Sequence, residues 1–208
     1  MPWRHRGRDS FEWLVEAGFF DQRPRDLSDP AVMRAAQPIV ASGGRSLSLQ
    51  ALARAGATLV GRPVAVAGER VTFDDSVAAN VAAGDTFAAR VRALVDGVIG
   101  RRGVDAPPAE PDDTDEPVDL RPPGSLDLRA DEVASVVWCT GFTGDFAWLD
   151  PALAGADGQP RRQDAAAPAP GLWYLGLRWL TRRKSSILFG FGDDAAAVAG
   201  AVSAHLGG

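Results

Sequence analysis

Residues 133–149 read VASVVWCTGFTGDFAWL. The first part of this stretch, through Trp138, is a short apolar run rich in β-branched residues, which is the pattern of a buried strand. The run breaks at Thr140 and Gly141, and a second glycine follows at Gly144. A strand that ends in Thr-Gly lets the backbone approach a flat or phosphorylated ligand at the carboxyl edge of a sheet, where open α/β folds bind ligands. A core strand followed by a tight turn explains the same residues, and the pattern leaves both interpretations open.

The composition limits the classes of function. The chain has 208 residues, of which 46% are hydrophobic, and a formal net charge of −5. This acidic balance argues against nonspecific nucleic-acid binding, which needs a basic surface. No apolar run approaches the length of a membrane span. We therefore expect a globular protein that binds neither nucleic acid nor membrane.

The cysteine and histidine content removes several kinds of chemistry. The single cysteine, Cys139, permits no disulfide within the chain and suits a reducing compartment, so we expect a cytoplasmic protein. In an apolar strand its thiol is expected to be buried and inert. The two histidines, His5 and His205, stand at opposite ends of the sequence, so no metal site is predicted.

Apolar periodicity and the positions of Gly and Pro predict the remaining elements. An apolar face together with a capping residue or a terminating glycine predicts helices at 10–20, 47–55 and 194–206. A long helix is also predicted, with caps offered by Asp74, Asp75 and Ser76 and an end at about Arg102. Three short strands at 58–60, 64–66 and 70–73 would form a small antiparallel meander. Further strands are predicted at 133–138, 173–177 and 187–191. Residues 105–124 are rich in Pro and acidic residues and predict an exposed connector, with an acidic interaction tail as the alternative.

Three blocks of the sequence resemble one family. Residues 133–142 resemble the A-T-G-F/Y strand of flavin-dependent monooxygenases and their bacterial relatives, the two-dinucleotide-binding flavoproteins, with Cys139 in place of the usual Ala. A second block is made of GLWYLGL at 171–177, WL at 179–180 and GFGDDA at 190–195, which together resemble the family's G-L-Y-F-L-G-L…W-L…G-x-G-E/D-D-A signature. Residues 4–13 resemble its R-R-Y-R-G-R-D-x-F-x-W stretch. The matches keep the family's order and span most of the chain.

The resemblance implies a fold, a domain organisation and an activity. We expect an α/β protein with part of an FAD/NAD(P)-binding, Rossmann-like, three-layer fold. The end of an NAD(P)-binding region would occupy residues 1–104, a linker 105–124, and the end of an FAD domain 125–208. The sequence has no G-x-G-x-x-G loop, whereas the family carries two, for FAD and for NAD(P)H. The expected function is therefore that of the carboxyl-terminal segment of an FAD-dependent NAD(P)H oxidoreductase or monooxygenase that acts on a small molecule. The alternative is a non-catalytic remnant or subunit-interaction module.

The expected cofactor contacts lie in two places. The resemblance implies that Thr140 and Gly141, together with Gly192, Asp193 and Asp194, contact FAD. The glycines of the 189–194 turn let the backbone come close to a ligand, and the aspartates would accept hydrogen bonds from ribityl or ribose hydroxyls. Their alternative role is that of ordinary helix caps. No side chain is predicted to act as a catalytic acid or base.

Two basic clusters have competing interpretations. Arg4, Arg6 and Arg8 stand where a 2′-phosphate of NADP would be neutralised, although solvent-facing charge explains them equally well. Residues 182–184 read Arg-Arg-Lys, and Arg183 aligns with an arginine of the family's W-L-H-T-R-G-S segment. A solvated face is the alternative here. Since part of the cofactor site is absent from the sequence, we expect an upstream-encoded partner subunit or a homo-oligomer.

Overall fold

The computed structural model describes residues 2–34, 46–111, 116–142 and 144–207. Within this part, the chain divides into two compact units. The amino-terminal unit contains the described residues of Met1–Ala17 and Gln37–Trp138, and the carboxyl-terminal unit those of Gly18–Ala36 and Cys139–Gly208. The short segment that follows the first helix therefore groups with the carboxyl-terminal unit. The assignment of NAD(P)- and FAD-binding domains stays a prediction.

The amino-terminal unit begins with a two-stranded hairpin and a short helix. Strand β1 (Arg4–His5) pairs antiparallel with β2 (Arg8–Asp9), and helix α1 follows at Ser10–Glu16. The carboxylate of Asp9 accepts the backbone N–H of Phe11 and caps this helix, whereas the sequence suggested Ser10. The predicted helix at 10–20 is thus confirmed over its first two turns. Trp13 lies on its buried face, where its indole Nε1 donates to the His5 carbonyl at 2.9 Å.

The longest helix provides the core of this unit. Helix α3 spans Val77–Arg102 and ends at Gly103, whose φ of 60° is the left-handed conformation typical of a helix terminus. Its valines at 91, 95 and 98 are buried at spacings of four and three residues. Helix α1 packs against it. The predicted long helix is confirmed: it begins at Val77, directly after Ser76 at the N-cap position, and ends at Arg102.

The meander forms with a different third strand. Strand β3 (Pro63–Ala67) pairs antiparallel with β4 (Arg70–Phe73), and β4 pairs with β5 (Ser125–Asp127). The prediction of a strand at 58–60 was wrong: these residues form neither helix nor strand, and the third strand comes from residues beyond the connector. Helix α2 (Leu49–Arg54) is confirmed, with the Ser48 hydroxyl accepting the Ala51 N–H. The described residues of the connector contain neither helix nor strand.

The carboxyl-terminal unit is built around one helix and a set of turns. Helix α4 spans Leu188–Leu206. Short 3₁₀ turns of this unit lie at Phe19–Asp21, Pro24–Asp26, Pro30–Met33, Pro151–Leu153 and Arg183–Ser186. Leu149, Tyr174 and Leu180 form its small buried apolar cluster. The predicted strand at 173–177 is wrong: only an isolated bridge between Ala166 and Trp173 forms there.

Two further strand predictions are corrected. Residues 187–191 are not a strand, because α4 already begins at Leu188. Residues 133–138 form neither strand nor helix, and Val137 and Trp138 are 81% and 79% exposed. Cys139 is likewise exposed rather than buried. An apolar β-branched run becomes a strand only where neighbouring strands pair with it, and the described residues provide none here.

The fold class is confirmed at a coarse level only. Helices combined with small antiparallel sheets are compatible with an α/β protein. The sheets of the described residues contain antiparallel pairs alone. The Rossmann-like, three-layer part of the expectation therefore stays a prediction.

Candidate functional site

The predicted cofactor contacts separate into two groups. Gly192, Asp193 and Asp194 lie in the second turn of α4. Thr140 and Gly141 lie in an exposed, irregular segment, and Gly141 has a φ of 79°. A cleft near α4 is lined by both aspartates but by neither Thr140 nor Gly141. The structure thus places the helical residues at a concave surface and leaves the Thr-Gly pair outside it.

The start of α4 changes the expected role of the two aspartates. The sequence suggested a helix from residue 194, with unpaired backbone N–H groups at Asp193 and Asp194. Because the helix begins six residues earlier, at Leu188, these positions are interior to it. The interpretation of the aspartates as ordinary caps is therefore wrong, and so is the expectation of free N–H groups beside them. Their carboxylates have other partners.

Asp194 is a buried carboxylate with one oxygen engaged and one without a partner. Its side chain is almost fully buried, at 3% exposure, and the Thr181 hydroxyl donates to its Oδ1. Its Oδ2 is buried and has no hydrogen-bond partner among the described residues. A buried carboxylate oxygen without a donor is costly, because desolvation is not compensated. This oxygen is therefore the clearest place at which a ligand hydroxyl or N–H group would stabilise the protein.

The cleft beside Asp194 is wide enough for a small molecule. It encloses about 570 Å³ and lies within the carboxyl-terminal unit. Its charged walls combine three arginines with three aspartates: Arg23, Arg25, Arg182, Asp164, Asp193 and Asp194. Trp173 and the small side chains of Ala197, Val198 and Ala201 supply the apolar wall. We call this the Asp194 cleft. Its mixture of polar and apolar walls is typical of sites for small molecules.

Asp193 belongs to an ion-pair network with Lys184. The Lys184 Nζ lies 2.7 Å from Asp193 Oδ2 and 3.0 Å from Asp21 Oδ1, while Arg182 Nη1 lies 3.5 Å from Asp193. The hydrogen bond to Lys184 holds the pKa of Asp193 below its ordinary value. The same bond raises the pKa of the Lys184 ammonium. Asp193 is therefore ionised at neutral pH and ties α4 to the turns that precede it.

The glycines of the 190–192 segment have different surroundings. A Cβ at Gly190 would collide with the carbonyl oxygen and Cγ of Lys184. A Cβ at Gly192 would meet no heavy atom of the described residues within 4 Å, and Gly192 is exposed. The sequence predicted that the backbone of this segment comes close to a ligand. In the structure the backbone at Gly190 comes close to the backbone of Lys184 instead. Gly192 leaves the surface of α4 open.

The turn before α4 is fixed by a buried serine. The Ser185 hydroxyl accepts the backbone N–H groups of Thr181 and Arg182 at 3.1 and 3.0 Å, and Ser185 is fully buried. These bonds hold the backbone of Thr181, whose hydroxyl reaches Asp194. The geometry of the cleft wall therefore depends on a side chain that does not line it.

The basic clusters have partners inside the protein. Arg183 lies between the rings of Phe19 and Trp179, with its guanidinium carbon 4.1 and 4.6 Å from the ring centroids, and burial lowers its pKa. It does not line the Asp194 cleft. In the other unit, Arg6 Nε lies 2.6 Å from Asp96 Oδ1 and Arg8 Nη2 2.7 Å from a Glu16 oxygen. A 2′-phosphate would have to displace these carboxylates, and its recognition stays a prediction.

Sequence reasoning missed several residues of the Asp194 cleft. Arg23 and Arg25 flank Pro24 in a segment with no periodic pattern, so nothing in the sequence placed them near α4. Thr181 stands where the family's W-L-H-T-R-G-S segment has its His, and this difference alone does not indicate a contact with Asp194. Its position between a Trp-Leu pair and a serine was the only available signal. The resemblance alone did not connect that position to Asp194.

Comparison with known proteins gives partial similarity to oxidoreductases. Over 65 residues the chain is 38% identical to a protein named "Uncharacterized oxidoreductase CzcO-like" from Geobacillus kaustophilus (strain HTA426), covering 31% of this chain and 19% of that protein. It is 32% identical over 65 residues to "Uncharacterized oxidoreductase CzcO" from Bacillus subtilis (strain 168), with the same coverages of 31% and 19%. The matches thus cover about a fifth of these curated relatives. No family model and no solved structure matches the chain.

A membrane-spanning helix and a metal-ligating cluster are both absent from the described residues. None of their helices is both long and apolar enough to cross a bilayer. In the same ranges, no group of three or more His, Cys, Asp or Glu side chains is arranged to hold a metal ion.

Proposed function

We propose that this chain forms the carboxyl-terminal part of the cofactor site of an FAD-dependent NAD(P)H oxidoreductase. Partial similarity to proteins named as oxidoreductases supports the reaction class. The Asp194 cleft supports the presence of a ligand site. The observation that carries the proposal is the buried Oδ2 of Asp194, which lacks a partner in a position where the resemblance implies a flavin contact.

The residues of the Asp194 cleft suit the polyol part of a flavin. The free Oδ2 of Asp194 would accept a hydrogen bond from a ribityl or ribose hydroxyl, while Thr181 holds the other oxygen. The arginines of the cleft suit the anionic parts of a dinucleotide. Asp193 would support this wall through its ion pair with Lys184, rather than through a bond to the ligand. The residues present therefore fit the group that the resemblance implies.

The chemistry would belong to the bound flavin, and the chain would supply positioning. When bound, FAD accepts hydride from NAD(P)H and passes electrons to O₂ or to another acceptor. Monooxygenation of an organic substrate is the form of this activity that the resemblance favours. The chain itself would fix the Asp194 carboxylate and present an open surface at Gly192. It would also hold the Lys184 ammonium in ion pairs with aspartates. Thr140 and Gly141 are proposed as further contacts once a sheet forms around them.

The test is flavin binding by wild-type and substituted chains. FAD is titrated into the purified chain, alone and with a polypeptide that carries the two glycine loops, and flavin fluorescence and the visible spectrum are recorded. We expect saturable binding that Asp194→Asn weakens at least about tenfold, since a hydrogen bond to a charged group contributes about 1.5–3 kcal/mol. Asp150→Asn, at an exposed position outside the Asp194 cleft, is the matched control. A spectrum identical to that of free FAD under both conditions refutes the proposal.

A specific observation favours a second candidate, a subunit-interaction module without catalysis. The apolar run at 133–138 is exposed, and Val137 and Trp138 in particular are largely open to solvent. Such a run is suited to pairing with the edge strand of another chain. Size-exclusion chromatography with light scattering separates the candidates. A monomer that binds no flavin argues against both, whereas a stable oligomer without flavin supports the interaction module.

A further inference from the structure

A second cleft opens in the carboxyl-terminal unit next to the Asp194 cleft. It encloses about 380 Å³. Its floor and walls come from the 3₁₀ turn at Pro24–Asp26, from the loop at 155–164 and from the buried residues Trp179 and Leu180. Arg23, Arg25 and Asp164 line both clefts, so the two form neighbouring depressions of one surface. We call this the arginine cleft.

The charge of this cleft is opposite in sign to that of the chain. Four arginines line it, against two aspartates: Arg23, Arg25, Arg161, Arg162, Asp157 and Asp164. The whole chain carries a formal net charge of −5. Like charges placed around one concave surface repel one another, and a cleft focuses their field. Such a local reversal of charge is typical of a site for anions.

The arginines are held without being neutralised. Arg161 Nη1 donates to the Ala152 carbonyl at 3.3 Å, and Arg162 Nη2 donates to the Arg178 carbonyl at 3.1 Å. Carbonyl oxygens orient a guanidinium but leave its full positive charge in place. For the Arg23 and Arg25 side chains, the described ranges contain no hydrogen bond or ion pair. Positive charge therefore remains available to a ligand.

The aspartates of the cleft do not cancel this charge. Asp157 Oδ1 accepts the backbone N–H of Gln159 at 3.1 Å and thereby shapes the loop. Asp164 has a φ of 50°, which is uncommon for a residue that has a side chain. Neither forms an ion pair with a cleft arginine among the described residues. Their carboxylates serve the loop conformation more than the neutralisation of the arginines.

Trp179 supplies an independent sign of a ligand site. Its φ is 54°, a strained conformation for a bulky residue, and such strain concentrates at binding sites. The residue is nine-tenths buried or more, at 2% exposure, and within the described part of the chain its indole Nε1 has no hydrogen-bond partner. Two of the non-glycine residues with positive φ, Asp164 and Trp179, thus line this one cleft. An orphaned indole N–H beside four arginines is a further donor suited to an oxyanion.

We propose that the arginine cleft binds a small molecule that carries at least two negative charges as phosphate or carboxylate groups. Arginine matches both groups because its guanidinium donates two parallel hydrogen bonds to paired oxygens. The cleft volume admits a compact polyanion rather than a large cofactor. The site is centred away from Asp194 but shares Arg23 and Arg25 with the Asp194 cleft, so its binding of anions is tested on the chain without flavin.

The experiment measures binding of two probe anions to the full chain. Pyrophosphate and citrate are titrated by calorimetry at constant ionic strength, with sodium chloride as the salt control. Saturable binding of pyrophosphate alone assigns phosphate, and that of citrate alone assigns carboxylate. Arg25→Gln and Arg161→Gln are each expected to raise the Kd about tenfold, since each removes a charge-assisted hydrogen bond. Both side chains are exposed, so these variants are expected to fold.

Matched controls make the outcome decisive. Arg129→Gln removes the same charge from a side chain that is 83% exposed in the other unit, and it should leave the Kd within about twofold. Asp194→Asn should likewise leave anion binding within about twofold while it weakens flavin binding, which separates this proposal from the proposed function. Failure of both anions to bind saturably overturns the proposal. Equal weakening by Arg25→Gln and Arg129→Gln overturns it as well, because the effect would then be one of net charge.

Discussion

Replacing Gly190 by alanine tests the packing of α4 against the preceding turn at Arg183–Ser186. A Cβ at this position would lie 2.7 Å from the Lys184 carbonyl carbon and would collide with the carbonyl oxygen. The Lys184 backbone cannot move away freely, because Ser185 next to it holds the N–H groups of Thr181 and Arg182. Overpacking of this kind costs about 1–3 kcal/mol, and contact with backbone favours the upper end. Alanine recovers up to about 1 kcal/mol of helix propensity.

The expected net effect of Gly190→Ala is a loss of about 1–2 kcal/mol in the free energy of unfolding. The matched variant is Gly192→Ala, two residues along the same helix, where a Cβ meets no heavy atom within 4 Å. That variant should gain about 0.5–1 kcal/mol from helix propensity alone. Urea unfolding monitored by circular dichroism and tryptophan fluorescence measures both. Equal stabilisation by the two substitutions would refute the packing described for Gly190.

Three further predictions concern packing, capping and pH. Trp13→Ala should lower the free energy of unfolding by about 3–5 kcal/mol, because the side chain is fully buried. Val66→Ala, at 71% exposure, should change the free energy of unfolding in urea by less than about 0.5 kcal/mol. Asp9→Ala should cost about 0.5–2 kcal/mol through loss of the cap on α1, and an unchanged denaturation midpoint would contradict that role. Because Lys184 lowers the pKa of Asp193 from its ordinary 3.8, this carboxylate stabilises the fold above that value, and the contribution is lost as pH falls through the lower, folded pKa. Asp193→Asn should therefore reduce stability at neutral pH and flatten its decline in acid; parallel acid curves for the two proteins would contradict the ion pair.

The sequence predicted the helices well because their signals are local. The stripe at Val91, Val95 and Val98 requires only a 3.6-residue period, and Gly103 marks the helix end by its own conformational freedom. The small meander was predicted in part for the same reason, since β3 and β4 are joined by a short turn. Its third strand, Ser125–Asp127, lies beyond a long connector, and no local spacing indicates such a pairing.

The predictions that failed depended on surroundings outside the segment itself. The apolar runs at 133–138 and 173–177 have strand composition, but a strand also needs neighbours that bond to it. Residues 187–191 show the opposite case, because they were predicted as a strand and lie at the start of a helix. Their apolar side chains and glycine do not distinguish the two structures, and Gly190 contacts Lys184 from within the helix. The position of Asp194 in the cleft could be suspected from the resemblance. The positions of Arg23 and Arg25 in the same cleft could not be predicted. They depend on the path that a segment without helix periodicity or strand pattern takes through the unit.

The most direct test of the proposed flavin site is the change in FAD affinity caused by Asp194→Asn. The measurement is the dissociation constant of FAD by fluorescence titration, with the glycine-loop polypeptide present and with Asp150→Asn, outside both clefts, as the control. The proposal predicts a Kd at least about tenfold higher for Asp194→Asn and no more than about twofold higher for the control. Equal affinities for the wild type and Asp194→Asn would contradict the claim that the unpartnered carboxylate oxygen receives the cofactor.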